Sequence, residues 1–241
     1  MTKYGVIGYP VKNSFSPAYF ANKFKNLGLS DFDYQAYEIK SAEGLRAFFE
    51  RENLSGVNVT MPIKQEVISY LDEISHSAVK INAVNTITFK NGKLYGDNTD
   101  HIGFGKSIIP LLNSGHKKAL IFGTGGASLA VKFMLGQLGI PYAVVSRLAG
   151  VEFTYDSLNH DILKQYTILI NSTPLGMQHR IDEAVNIPYD YIGERHLCYD
   201  LVYDPLETIF LKQCKSRGAT IKGGLEMLEL QADRSWEIWN M

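Results

Sequence analysis

Ala119-Leu120-Ile121-Phe122-Gly123-Thr124-Gly125-Gly126-Ala127-Ser128 decides the reading of this chain. A short apolar run suited to a buried strand passes directly into a glycine-rich turn, and the apolar spacing that follows, to Leu138, is helical. Strand, turn and helix in that order are the context of a dinucleotide-binding fingerprint. Gly123 allows the tight turn, Gly125 lets the backbone approach a pyrophosphate, and the open amides of a new helix at Gly126 and Ala127 favour an anion. Ser128 stands where a third Gly or Ala is usual, and Thr124 lies within the turn. The competing reading is a glycine-rich bend that binds nothing, because such a motif without its context is weak evidence.

Outward from this turn, β-branched and aromatic runs at Tyr4 to Ile7, Phe32 to Glu38, Gly56 to Val59, Tyr142 to Val145, Ile168 to Asn171, Cys198 to Leu201 and Thr220 to Ile221 read as further strands. Helical spacing marks Pro17 to Asn26, Ala42 to Glu52, Ile102 to Leu112, Ala127 to Leu138, Thr208 to Arg217 and Leu225 to Trp239. The alternation predicts an α/β fold with parallel sheets and right-handed crossovers. Asn85 to Phe89 and Leu94 to Tyr95 flank Asn91-Gly92 and predict a hairpin at the edge of the first sheet. With 241 residues, two domains are expected, meeting near His101.

Lys and Arg number 24 against 25 Asp and Glu, a formal charge of -1, so no global field would hold the chain on nucleic acid or an anionic membrane. No apolar run is long enough to span a bilayer, and Met1 to Lys12 lacks the form of a signal peptide, so a cytoplasmic location is expected. Cys198 and Cys214 lack CxxC spacing and the histidines lack ligand spacing, so neither disulfide nor metal is expected.

The second cofactor strand ends in Ser146-Arg147-Leu148. An acidic residue there would hold a ribose 2′-hydroxyl, whereas an arginine accommodates a 2′-phosphate, so Arg147 points to NADP. The first half carries polar clusters at strand ends, where open α/β sheets bind ligands. Ser14-Phe15-Ser16-Pro17 offers two hydroxyls, of which Ser16 reads as a helix N-cap with Pro17 at N1. Asn58-Val59-Thr60-Met61-Pro62-Ile63-Lys64 gathers an amide, a hydroxyl and an amine. Asn82 to Thr86 and Gly96 to Asp100 add amides, hydroxyls and a carboxylate. Turn chemistry explains each singly; together they suit a polyhydroxylated ligand.

At these residues the sequence resembles the shikimate dehydrogenase family over nearly its whole length. The likeness rests on Ser14 to Pro17, Asn58 to Lys64, Ala83 to Thr86, Gly96 to Asp100, the glycine turn, Asn171 to Met177, Asp200 to Tyr203 with Pro205, and Gly224 to Gln231. It implies reversible NADP-dependent reduction of 3-dehydroshikimate to shikimate, on the route to chorismate and the aromatic amino acids. It implies an N-terminal substrate domain, residues 1–101 with 224–241, a Rossmann-like NADP domain, residues 102–223, and an active-site cleft between them.

Carried over residue by residue, Lys64 and Asp100 become the catalytic pair, and Ser14, Ser16, Asn58, Thr60, Asn85, Tyr203 and Gln231 substrate ligands. Gly123 to Ser128, Ser146, Arg147, Thr173, Gly176, Met177 and Gly224 would line the cofactor. An ammonium at Lys64 could give a proton to the ketone oxygen while the cofactor supplies hydride, with Asp100 fixing its direction. The alternative role for Lys64 is to position the substrate without moving a proton. Asn82 and His101 stand where the family has glycine, and Ser146-Arg147-Leu148 where it has Asn-Arg-Thr. The segment from Arg147 to Ile168 is short, so much of the usual crossover helix is expected to be missing. An NAD-preferring quinate/shikimate dehydrogenase and a non-catalytic binding protein on the same scaffold are the rival readings; monomer and homodimer both stay open.

Overall fold

In the computed structural model, which describes residues 1–148 and 150–241, the expected alternation of strands and helices forms two units, Met1–Asp100 with Gln231–Met241, and His101–Leu230. The first unit contains β1 (Thr2–Gly8), α1 (Phe15–Asn26), β2 (Phe32–Glu38), α2 (Leu45–Glu52), β3 (Leu54–Val59), β4 (Glu73–Ile74), α3 (His76–Ile81), β5 (Thr86–Lys90) and β6 (Lys93–Asp97). Its sheet has the order β2-β1-β3-β5-β6-β4, parallel around β1 and antiparallel through β3, β5 and β6. Asn91 and Gly92 join β5 to β6 with φ of 54° and 72°, the left-handed pair a two-residue hairpin requires. The hairpin does not edge the sheet as expected, because the two-residue β4 pairs in parallel outside β6. Successive residues of a strand face opposite sides, and both sides are apolar here. Tyr4 and Val6 pack with Phe20, Tyr34 and Trp239, while Ile7 packs with Phe49, Val57 and Ile87 on the other side.

The second unit begins within α4 (Asp100–Ile108) and continues with β7 (Ala119–Phe122), α5 (Gly126–Gln137), β8 (Tyr142–Val145), α6 (His160–Gln165), β9 (Ile168–Asn171), β10 (Leu197–Asp200), α7 (Ile209–Lys215), β11 (Thr220–Lys222) and the start of α8 (Leu225–Trp239). All neighbours in its sheet, β11-β10-β9-β7-β8, are parallel. Leu120, Phe122, Leu169 and Cys198 face one side, and Ala119, Ile121, Ile168, Ile170 and Tyr199 the other, so these strands are continuously apolar rather than alternating. Beyond β8 a parallel bridge joins Val145 to Phe153. With that bridge taken as a sixth, single-residue strand, the order is the 3-2-1-4-5-6 of the Rossmann fold. Besides that bridge, the described residues of the crossover from β8 to β9 form a 3₁₀ turn at Tyr155–Ser157 and the short α6, in keeping with the short sequence there.

The boundary between the units falls inside α8, between Leu230 and Gln231. The far end of α8 is fixed in the first unit: Trp239 lies over Gly56, where a Cβ would come within 2.5 Å of its Nε1, and that Nε1 donates to the Ile87 carbonyl at 3.1 Å.

Candidate active site

The first unit holds a connected polar cluster. Its ion pair is Lys64 and Asp100, with Lys64 Nζ donating to Asp100 Oδ2 at 2.6 Å and side-chain exposures of 16% and 4%. Ile63 and Val67 are buried beside the lysine, and the Lys64 carbonyl accepts the Val84 amide at 2.8 Å, which binds the Lys64 loop to the Asn85 turn. Asp100 opens α4, where the helix dipole favours a carboxylate.

Asn85 is the centre of this cluster. Its Oδ1 accepts the Thr99 backbone N–H at 2.6 Å, and since that group can only donate, the orientation of the amide is settled. Asn85 Nδ2 therefore faces Asp100 Oδ1 at 2.9 Å, Thr99 Oγ1 at 3.0 Å and Gln231 Oε1 at 3.1 Å. It follows that Gln231 turns its carbonyl inward and keeps its NH₂ group for another partner. Behind Asn85, Ser235 is fully buried and meets Asn58 Nδ2 and Thr86 Oγ1, each at 2.8 Å. Asn58 accepts the Tyr34 hydroxyl at 2.8 Å, so its amide is occupied by the protein itself. Neither Ser235 nor Tyr34 carries a sequence signal; their contacts depend on how α8 and β2 pack.

Ser14, not Ser16, is the N-cap of α1: its Oγ accepts the Ser16 backbone N–H at 3.4 Å, and the helix begins at Phe15. This corrects the sequence assignment, and the reason is backbone geometry. Ser14 is the residue with extended φ and ψ, -65° and 139°, while Ser16 and Pro17 are already helical. The Ser16 hydroxyl instead bonds the buried Tyr34 phenol, whose pKa burial pushes up. Thr60 is half-buried where its N–H donates to the Ile7 carbonyl at 2.9 Å. Gly8 permits this crossing, since a Cβ there would lie 2.5 Å from the Met61 carbonyl.

In the second unit the glycine turn leaves β7 with Gly123 at φ 104°, where a Cβ would stand 2.9 Å from Thr173 Cγ2. Gly123 is thus required by the fold. Gly125 differs: its φ is an ordinary -71°, and a Cβ on it, or on Gly126, would meet no protein atom within 4 Å. Neither backbone conformation nor packing calls for glycine at 125, and the space suits a ligand approaching the first amides of α5, which have no intrahelical acceptors. The turn therefore fits the pyrophosphate of a dinucleotide. Thr124 is exposed and Ala127 half-buried at its mouth. Ser128 is buried, and its hydroxyl donates to the Gly125 carbonyl at 2.6 Å, so it shapes the turn and offers no free donor.

Ser146 and Arg147 follow β8. The Ser146 hydroxyl accepts the Leu148 amide at 3.2 Å, and Arg147 is exposed; burial pushes the Tyr155 phenol up, with the Arg147 charge opposing it, and Arg147 is also a minor contributor to the lowered pKa of Glu183. Arg180 holds Glu183 by a bidentate pair, both contacts 2.7 Å, which is the larger cause of that carboxyl's lowered pKa. The loop from Thr173 through Gly176 to Met177 leaves β9 beside the glycine turn. Tyr203 lines a 260 Å³ pocket with Leu206, Lys222, Gly223 and Glu226, and burial raises its phenol's pKa. It belongs to the second unit, unlike the other expected substrate ligands. Gly224 is explained by packing, since a Cβ there would fall 2.2 Å from the Leu201 carbonyl.

A Rossmann-order sheet with an open glycine turn, in a chain whose other unit carries a lysine–carboxylate pair in an amide cluster, defines an α/β nucleotide-dependent oxidoreductase. Residues 6–87 match the model of the shikimate dehydrogenase substrate binding domain. The chain is 37% identical to a shikimate dehydrogenase (NADP(+)) of Aquifex aeolicus over 98% of this chain and 90% of that relative. Its fold matches the crystal structure of shikimate dehydrogenase from the same organism with a TM-score of 0.88 and 35% identity, covering 100% of this chain and 92% of that one. It also matches the Thermus thermophilus enzyme in complex with NADP(H) and shikimate, with a TM-score of 0.86 and 31% identity over 99% and 93% of the two chains. The chain belongs to the shikimate dehydrogenase family.

Proposed function

We propose that this chain catalyses the reversible NADP-dependent reduction of 3-dehydroshikimate to shikimate, on the route to chorismate. The observation that carries the reading is the 2.6 Å contact between Lys64 and Asp100 inside a cluster that also holds Asn85 and Gln231. When bound, the cofactor supplies hydride to the substrate carbon. The protein's part is to hold the substrate and manage a proton at its oxygen. Lys64 Nζ is the donor in reduction and the acceptor in oxidation; Asp100 directs it, and Asn85 holds Asp100 by its other oxygen.

Ser14, Ser16, Thr60, Gln231 and Tyr203 are assigned to the substrate's hydroxyls and carboxylate, with Asn58 and Asn85 fixing the cluster behind them. The substrate domain is assigned residues 1–101 with 224–241, and the Rossmann-like cofactor domain residues 102–223. Gly123 to Ala127 receive the pyrophosphate on a turn shaped by Ser128, Thr173, Gly176 and Met177 flank it, Gly224 is assigned to the same cofactor site, and Ser146 with Arg147 take the 2′-phosphate. Among the described residues no helix is long and apolar enough to cross a membrane, and the cytoplasm, where NADP and the substrate are dissolved, is the proposed location.

Steady-state rates with shikimate and quinate, each with NADP and NAD, test the reading. Turnover of shikimate with NADP at the highest kcat/KM is expected. Exclusive turnover of quinate with NAD would replace it, and no turnover with any pair would end it.

A further inference from the structure

Asp200, at the end of β10, is fully buried yet forms no ion pair among the described residues. A buried carboxylate is costly unless its lone pairs are satisfied. Here three donors satisfy them: Asn171 Nδ2 at 2.9 Å and the Val202 amide at 3.0 Å on Oδ1, and the Thr208 hydroxyl at 2.6 Å on Oδ2.

Two of these donors lead to the same loop. Asn171 Oδ1 accepts the Thr173 amide at 3.0 Å and the Thr173 hydroxyl at 2.6 Å, and because the amide can only donate, the Asn171 side chain has one orientation. Thr208 forms the wall on which the loop's other end rests: at Gly176, with φ 91°, a Cβ would lie 3.0 Å from Thr208 Cβ and Cγ2. The start of the loop in turn lies against Gly123 of the glycine turn. Asp200 thus fixes the loop from Thr173 to Gly176 at both ends, from behind the sheet edge that carries the cofactor turn.

We propose that Asp200 is a positioning residue for the cofactor: acting through Asn171 and Thr208, it holds the loop from Thr173 to Gly176 in the conformation that binds NADP. The inference rests on the proposed function, since it presumes that NADP is the ligand of this turn. It does not make Asp200 a catalytic group, because nothing brings it to the reacting atoms.

The test is calorimetric titration of NADP into the purified apo protein, with melting temperature measured alongside. Wild type must bind NADP; if it does not, the cofactor reading itself fails, independently of Asp200. Asp200→Ala should raise Kd by about tenfold or more, as buried donors lose their acceptor. Asn171→Ala should do the same without emptying the Asp200 site, so the inference stays testable even if Asp200→Ala is insoluble. The double variant should be less than additive, the mark of residues acting through one another. Asp200→Asn keeps an acceptor toward Asn171 and Val202 and can turn its NH₂ to the Thr208 oxygen, so it should bind within about threefold of wild type, as its acceptor is retained. Wild-type Kd in Asn171→Ala, strictly additive effects, or a Kd in Asp200→Asn as poor as in the alanine variant would each overturn the proposal.

Discussion

Lys64 and Asp100 touch each other and little else that could move a proton, so their loss should appear in turnover more than in affinity. Lys64→Ala is expected to lower kcat by about 10²- to 10⁴-fold with a smaller change in shikimate Kd. Steady-state rates beside equilibrium binding check this, and a near-normal kcat would remove Lys64 from the chemistry. Of the two serines of the first loop, Ser14 rather than Ser16 caps α1. Ser14→Ala should lower stability by about 0.5 kcal/mol, the low end for a cap, because its contact is a long 3.4 Å. As proposed substrate ligands, both Ser14→Ala and Ser16→Ala should raise KM for shikimate, and thermal melts with kinetics on both variants separate the cap from the ligand. Sequence could show two hydroxyls beside a helix start but not which residue was the last extended one, since that depends on where β1 delivers the chain. Arg147, exposed at the end of β8, should carry the preference for NADP: Arg147→Ala is expected to reduce the NADP to NAD ratio of kcat/KM by about 10- to 150-fold, the worth of one charge-assisted contact. A ratio unmoved by the substitution would leave Arg147 a surface residue.

Among the elements, the glycine turn separates what the fold needs from what the ligand needs. Gly123→Ala should destabilise the protein, because it forces a side chain into φ 104° against Thr173. Gly125→Ala meets nothing and adopts a common φ, so it should cost no more than about 1 kcal/mol as a weaker N-cap while sharply weakening NADP binding. Melting curves and NADP titration of the pair check this; equal loss of stability in both would deny the turn a ligand. The turn, the hairpin at Asn91-Gly92 and α8 were legible because each is specified by neighbours in sequence: φ preferences, apolar spacing, a strand running into a helix. β4 and α3 were not. Glu73–Ile74 is a strand only because β6 offers a free edge, and His76–Ile81 is one short helix held by the Ser75 cap, too brief to show a period. Ser235, Tyr34 and the relay from Asp200 escaped for the same reason, being defined by packing between distant segments.

Over the molecule as a whole, two buried titrating groups act on stability with opposite sign. Burial raises Asp200 to about 6 from an ordinary 3.8, with its three hydrogen bonds opposing the shift. Its contribution to stability is therefore fully present below pH 3.8 and lost as pH rises through about 6, on the order of 3 kcal/mol. His116 is lowered, by burial first and by His196 second, so its contribution is present above about 6.5 and lost as pH falls. Asp200→Asn removes only the first effect: its melting temperature relative to wild type should climb between pH 4 and 7, and a constant difference would contradict the buried, ionising carboxylate. The single bridge at Phe153 has a separate consequence. The loops proposed to hold the cofactor leave β7, β8 and β9, and the strand beyond β8 is pared to one residue whose carbonyl accepts the Ser146 amide at 3.1 Å, so this margin of the sheet is tied directly to the loop that carries Arg147. Any trimming of the margin or graft upon it has to spare Phe153, the single stitch by which an otherwise thin border holds the turn after β8 in place.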